Sequence, residues 1–179
     1  MEDLSLHILD IVENSIRAKA KKVEIKISEE LKKDLLTISI KDDGKGMNEE
    51  IVKKALDPFF TTKNTKKVGL GLSLLHQATK EAKGKFTIDS KPNKGTKITA
   101  TFKYTHIDRK PLGNITQTMI TLIAGNPQID FLYEHRKGSL CYLLDTAKVK
   151  VELGDVPINT PNVINFIQKD IRDGLKKIG

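Results

Sequence analysis

Short segments of this chain alternate apolar and polar residues with a period of two. Val23, Ile25 and Ile27 are interleaved with Glu24, Lys26 and Ser28, and Leu36, Ile38 and Ile40 with Thr37, Ser39 and Lys41. Phe86 and Ile88, then Ile98, Ala100 and Phe102, repeat the pattern around the turn Pro92-Asn93-Lys94-Gly95. A strand turns successive side chains to opposite sides, so each segment offers a core one apolar face only. A sheet made from them needs a cover on one side. Leu4, Ile8, Ile11, Val12, Ser15 and Ile16 recur at helical spacing, predicting an amphipathic helix over about 4–18. Asn48 is placed to cap a short helix running to about Leu56, and a third helix follows Gly69-Leu70-Gly71 and ends near Lys83-Gly84. The order is helix, strand, strand, helix, loop, helix, hairpin. It predicts an α+β fold: a two-layer α/β sandwich, with a mixed sheet and helices on one of its faces.

That pattern occupies 1–104, and 105–179 read as a small α+β extension. Residues 107–113 form a connector, 114–124 a helix, and 129–135 with 140–144 a hairpin around Lys137-Gly138. Thr160-Pro161 opens a last amphipathic helix through Val163, Ile164, Ile167, Ile171 and Leu175. The apolar stripes of the extension are short, so it is expected to pack against the first unit or a partner.

Hydrophobic residues make up 38% and charged residues 30% of the 179, without a long apolar run, which excludes a disordered chain and a membrane-spanning helix. The start, Met1-Glu2-Asp3-Leu4, has no secretory or transit character, and a cytoplasmic location is expected. Cys141 is the only cysteine, which leaves no internal disulfide and argues against structural zinc. The net charge of +8 invites a nucleic-acid reading, but lysines dominate the positive charge, aromatics are 5% and no recognition motif accompanies them. Nucleic acid is therefore not the expected partner.

Three clusters carry chemistry. Asp10 and Asn14 are four apart on the first helix, so one ligand can meet both: an amide oxygen suits Mg2+, and a carboxylate orients water or accepts a proton. Asp42-Asp43-Gly44-Lys45-Gly46-Met47 follows an apolar strand, where glycines let the backbone approach a flat ligand and an acid accepts from an exocyclic amine. Gly69-Leu70-Gly71-Leu72-Ser73 opens a helix behind Thr61, Thr62, Lys63, Lys66 and Lys67, and free amides beside lysines suit phosphate. Each cluster has an ordinary alternative: a polar helix face, a tight turn, or a capped helix behind a basic loop.

Taken together and in order, these pieces resemble the GHKL superfamily of gyrase, a heat-shock chaperone, histidine kinases and mismatch-repair ATPases. Residues 10–18 look like its N box, 42–47 its first glycine box, and Asp57-Pro58-Phe59-Phe60-Thr61-Thr62-Lys63 its F box. Residues 69–72 look like the second glycine box and Gly95-Thr96 the closing Gly-Thr pair. The F box points to the histidine-kinase branch. The resemblance implies ATP and Mg2+ as ligands, with Asn14 on the metal, Asp42 accepting from the adenine amino group and Thr96 contacting adenine through water. Gly44, Gly46, Met47, Gly69, Leu70, Gly71 and Leu72 would shape the pocket and its lid, and Lys63 and Ser73 would reach phosphate. Hydrolysing relatives usually carry Glu where this chain has Asp10, so a shorter carboxylate stands at the catalytic position.

The likeness covers about 4–104, and a phosphoacceptor hairpin ahead of it is not expected. The expectation is a stand-alone form resembling anti-sigma serine kinases: a protein kinase or slow ATPase acting on a partner protein, with a homodimer possible. The alternative is a non-catalytic, ATP-gated binding module. His106-Ile107-Asp108-Arg109-Lys110-Pro111-Leu112 looks like a phosphoacceptor box, but Gly125-Asn126-Pro127 cuts the following helix short, and a connector is the expected reading. His7 and His76 are expected to be satisfied structural residues.

Overall fold

The computed structural model describes residues 3–57 and 68–179. Helix α1 (Leu4–Arg17) is capped by Asp3, whose carboxylate accepts from the Leu6 amide. Strands β1 (Lys22–Glu30) and β2 (Leu35–Asp42) form an antiparallel pair. Helix α2 (Glu49–Ala55) begins where Asn48 accepts from the Ile51 amide at 2.9 Å, with Glu49 and Glu50 in its positive first turn. Then come α3 (Val68–Glu81), β3 (Phe86–Ser90), β4 (Thr96–Lys103), α4 (Ile115–Gly125), β5 (Asp130–Lys137), β6 (Leu140–Asp145), α5 (Thr146–Leu153) and α6 (Pro161–Ile178).

Among the described residues, six strands form one mixed sheet in the order β3-β4-β2-β1-β5-β6. All neighbours are antiparallel except β1 and β5, which run parallel with Ile25 beside Tyr133. Val23, Ile25, Ile27, Leu36, Ile38, Ile40, Ala100 and Phe102 point to one face and are buried beneath α1, α3, α4 and α6. The opposite face carries Lys26, Lys41 and Thr99. This is the one-sided sandwich that the alternation requires.

Residues after 104 enter this same sheet: β5 adds Phe131 and Tyr133 to the apolar face, and Met119, Ile167 and Ile171 join a common core with Leu4 and Ile11. A buried polar chain pins the junction. The hydroxyl of Tyr104 donates to Oε2 of Glu29 at 2.9 Å, Nε2 of His135 lies 2.7 Å from Oε1, and the Tyr133 hydroxyl lies 2.8 Å from Nδ1 of His135. The bond to His135 is the main cause holding the Glu29 carboxyl below its ordinary value near 4.5, against the opposing effect of burial. Among the described residues, no helix is long and apolar enough to cross a membrane.

Candidate functional site

Asp42 ends β2 on the core face and is only 9% exposed. Burying a carboxylate requires donors, and they come from two elements: the Ser15 hydroxyl of α1 donates to Oδ2 at 2.6 Å and the Gly44 amide to Oδ1 at 2.9 Å. Ser15 joins the candidate site through this bond, whereas its spacing places it only on the stripe of α1. Its place on the buried stripe was legible, but its bond to Asp42, 27 residues away, was not.

The loop after β2 is fastened on three sides. Asp43 accepts from the amides of Lys21 and Lys22 at 2.7 and 2.9 Å, the Lys45 amide donates to the Ala18 carbonyl, and the Asn93 amide donates to the Lys45 carbonyl. Gly46 has φ +67, and a Cβ there would collide with the Lys91 carbonyl, so the loop lies flat on the β3–β4 turn only as glycine. Thr96 stands directly beside Asp42 in the β2–β4 register. Ser90 ties the two loops together: its Oγ accepts from the Met47 amide at 2.8 Å and lies 2.8 Å from the Thr96 hydroxyl. Ser90 was not picked out by sequence reasoning, because a lone serine at a strand end has no pattern. Met47 is half-buried against the core.

Asp10 and Asn14 are partly exposed on α1, as their spacing predicts. The Asn14 Oδ1 accepts from the Arg17 guanidinium at 2.9 Å, and Arg17 also lies 3.8 Å from Glu13. Helix α3 brings the second glycine segment against Asp10, whose Oδ2 would be 2.7 Å from a Cβ on Gly71. Gly69 and Leu70 lie in the first turn of α3, Leu70 is exposed, and Leu72 is buried in the core. The Ser73 hydroxyl donates to the Leu70 carbonyl at 3.0 Å, within its own helix. Lys63, with Lys66, Lys67 and the whole of Phe59-Phe60-Thr61-Thr62, lies outside the described residues. Asp10, Asn14, Asp42, Gly44 and Gly71 are thus gathered around α1, the β2 loop and α3.

A cavity of about 270 Å³ beside this cluster is lined by Asp42, Ser90, Gly95 and Thr96 but also by Lys41, Asp89 and Lys97 of the bare sheet face. It touches neither Asp10 nor Asn14, so it lies behind the hairpin and is not the cleft of α1 and α3. His106 sits in the connector, where its Nδ1 accepts from the Asp108 amide at 3.1 Å, and no helix carries it. His76 stacks on Phe86. His7 departs from expectation: it is buried, and both of its ring nitrogens lack a partner. Among the described residues no group of acids, histidines and cysteines forms a metal cluster.

A sequence model of the family described as histidine kinase-, DNA gyrase B- and HSP90-like ATPase matches residues 2–106. The chain belongs to that family. Within this ATPase family, it is 31% identical over 98 residues to the sensor histidine kinase YvrG of Bacillus subtilis, covering 52% of this chain and 17% of that one. It is 36% identical over 88 residues to sporulation kinase C of the same organism, covering 49% and 20%. The chain therefore spans a fifth or less of the length of these kinases. Among solved structures, the ADP-complexed ATPase domain of Aquifex aeolicus MutL matches at a TM-score of 0.50 and 18% identity, over 94% of this chain and 88% of that one. The N-terminal domain of a DNA repair protein matches at 0.59 and 17%, over 81% and 53%. Both likenesses concern the fold. The family assignment makes this an ATP-binding domain of the histidine-kinase-like type.

Proposed function

We propose that this chain binds Mg-ATP between α1, the loop after β2 and α3, and passes the terminal phosphoryl group to a partner protein or slowly to water. The observation that carries the reading is the buried Asp42 carboxylate, held by Ser15 and Gly44 and flanked by Thr96. A carboxylate fixed at a strand end recognises the adenine amino group as an acceptor. Thr96 supplies a hydroxyl for a water-mediated contact to the ring, Met47 an apolar surface, and Gly44 and Gly46 the close approach of backbone. Asn14 keeps a second lone pair on the oxygen that Arg17 engages, a hard donor suited to Mg2+. Asn14 would hold the metal, which would supply neutralisation of the phosphate charge. The amides opening α3 at Gly69, Leu70 and Gly71, with Lys63 and Ser73, are the groups for phosphate.

Phosphoryl transfer asks the protein chiefly for positioning and charge neutralisation, and Asp10 is the group within this cluster able to orient a nucleophile or take its proton. The test is calorimetric titration with Mg-ATP of the native chain and of Asp42→Ala, then a turnover assay on the same samples. Binding by the native chain, weakened at least about tenfold by the substitution, is the expected result. Failure of the native chain to bind would end the reading.

One observation favours a second reading in which ATP gates partner binding without turnover. Asp10 is a methylene shorter than glutamate and lies against Gly71. ATP-dependent capture of a partner with phosphate release at background would decide for it.

A further inference from the structure

Among the described residues the sheet has two open edges, and they differ. Strand β3 is five residues long, flanked by Lys85 and Lys91 and carrying Asp89, the usual protection against edge-to-edge association. Strand β6 has less of this: its first five residues, Leu140-Cys141-Tyr142-Leu143-Leu144, contain no charge, proline or glycine, Asp145 alone carries charge at its end, and among the described residues its one sheet neighbour is β5. Leu140 is 52% and Leu143 53% exposed. The apolar flank continues onto α6. Asp170 accepts from the Tyr142 hydroxyl at 2.7 Å and Gly174 lies against the Tyr142 ring, so this side of α6 overlies β6. Phe166, one turn before Asp170, is 70% exposed.

We infer that β6 is the interface with a second copy of this chain, joined antiparallel about a two-fold axis through Tyr142. The sequence of the strand selects both occupant and register. An antiparallel neighbour in a continuous sheet places residues of the same face opposite one another. With Tyr142 on the axis, Leu140 meets Leu144 of the other copy and Cys141 meets Leu143, so the first five positions are apolar against apolar, the sixth, Asp145, faces Ser139 outside the strand, and both exposed leucines gain partners. An axis at Leu143 would set Cys141 against Asp145, and one at Cys141 would set Leu143 against Ser139. No like charges face each other in the chosen register, which is what an isologous contact requires. Strand β2 lies three strands inward, so the cleft of α1 and α3 stays open in the pair.

Cys141 makes the register testable. Opposite residues of an antiparallel pair have Cα atoms roughly 4.5–5.5 Å apart, inside the range a disulfide spans, whereas the two Cys141 residues would be about 8 Å apart and outside it. Sedimentation of the full chain is expected to give twice its mass, and Leu143→Lys to weaken the dimer at least about tenfold while keeping the native circular dichroism. Under copper-phenanthroline oxidation, Leu143→Cys is expected to yield a covalent dimer through Cys141 and the new thiol, while the unsubstituted chain does not crosslink. A monomer at every concentration, an unchanged dimer in Leu143→Lys, crosslinking of the unsubstituted chain, or none in Leu143→Cys would each overturn the proposal. Leu143→Cys keeps the test decisive if the lysine variant does not fold.

Discussion

His7 is buried within α1 with neither ring nitrogen bonded, an arrangement that only the neutral imidazole tolerates. Burial is the main cause lowering its pKa to about 4 from 6.5, with Lys110 adding to the effect. The unfolded chain then takes up the proton first, so stability is full above pH 6.5 and is lost as pH falls from there through 4. His7→Leu should flatten this acid loss by up to about 3 kcal/mol, read from unfolding midpoints between pH 7.5 and 4.5. Ser15 acts on a different property. Its hydroxyl is one of two donors to the buried Asp42, and Ser15→Ala should weaken ATP binding roughly tenfold and cost about 1–2 kcal/mol of stability. Titration calorimetry and denaturant unfolding measure the two. Asp10, Asn14 and Asp42 were legible as candidates because helical spacing and a strand end fix where such side chains go. Ser15 and Ser90 were not, because what they contribute is a partner in space, and Ser90 meets Met47 across 43 residues of sequence.

At the scale of elements, the alternation from Val23 to Phe102 was readable because each strand buries one face only, and the Asn48 cap because its side chain replaces a missing helical partner. Helix α5 was not foreseen. Its sequence, Thr146-Ala147-Lys148-Val149-Lys150-Val151-Glu152-Leu153, alternates like a strand and buries only Thr146. Its helical form rests on local bonds instead: Asp145 accepts from the Ala147 amide, and Lys150 reaches the Ile129 carbonyl and the Asp130 carboxylate at 2.8 Å. Nor did pattern show that β5 would seek β1, since pairing is decided by which edge is free. The loop after β2 gives the sharpest test of an element. Gly46→Ala meets both a positive φ and the Lys91 carbonyl, so a loss of about 2–4 kcal/mol is expected by chemical denaturation, with weaker ATP binding.

Over the whole molecule, strand β1 is central, with β2 on one side and β5 on the other. Val23, Ile25 and Ile27 lie beside Phe131, Tyr133 and His135, so the first hundred residues and the rest share one core. A single calorimetric transition is expected for the chain, and a fragment ending at residue 104 should melt at least about 10 °C lower or aggregate, having exposed β1 and the partners of Met119 and Phe131. The parallel pair also has a consequence in time. Val23 waits for Phe131, more than one hundred residues later, while its antiparallel partner in β2, Asp42, arrives within twenty. As the chain leaves the ribosome, the β1–β2 ribbon can close early, yet its outer edge stays bare for most of synthesis. The nascent protein is most exposed to chaperones, and to faulty pairing with its neighbours on the same messenger, in that interval.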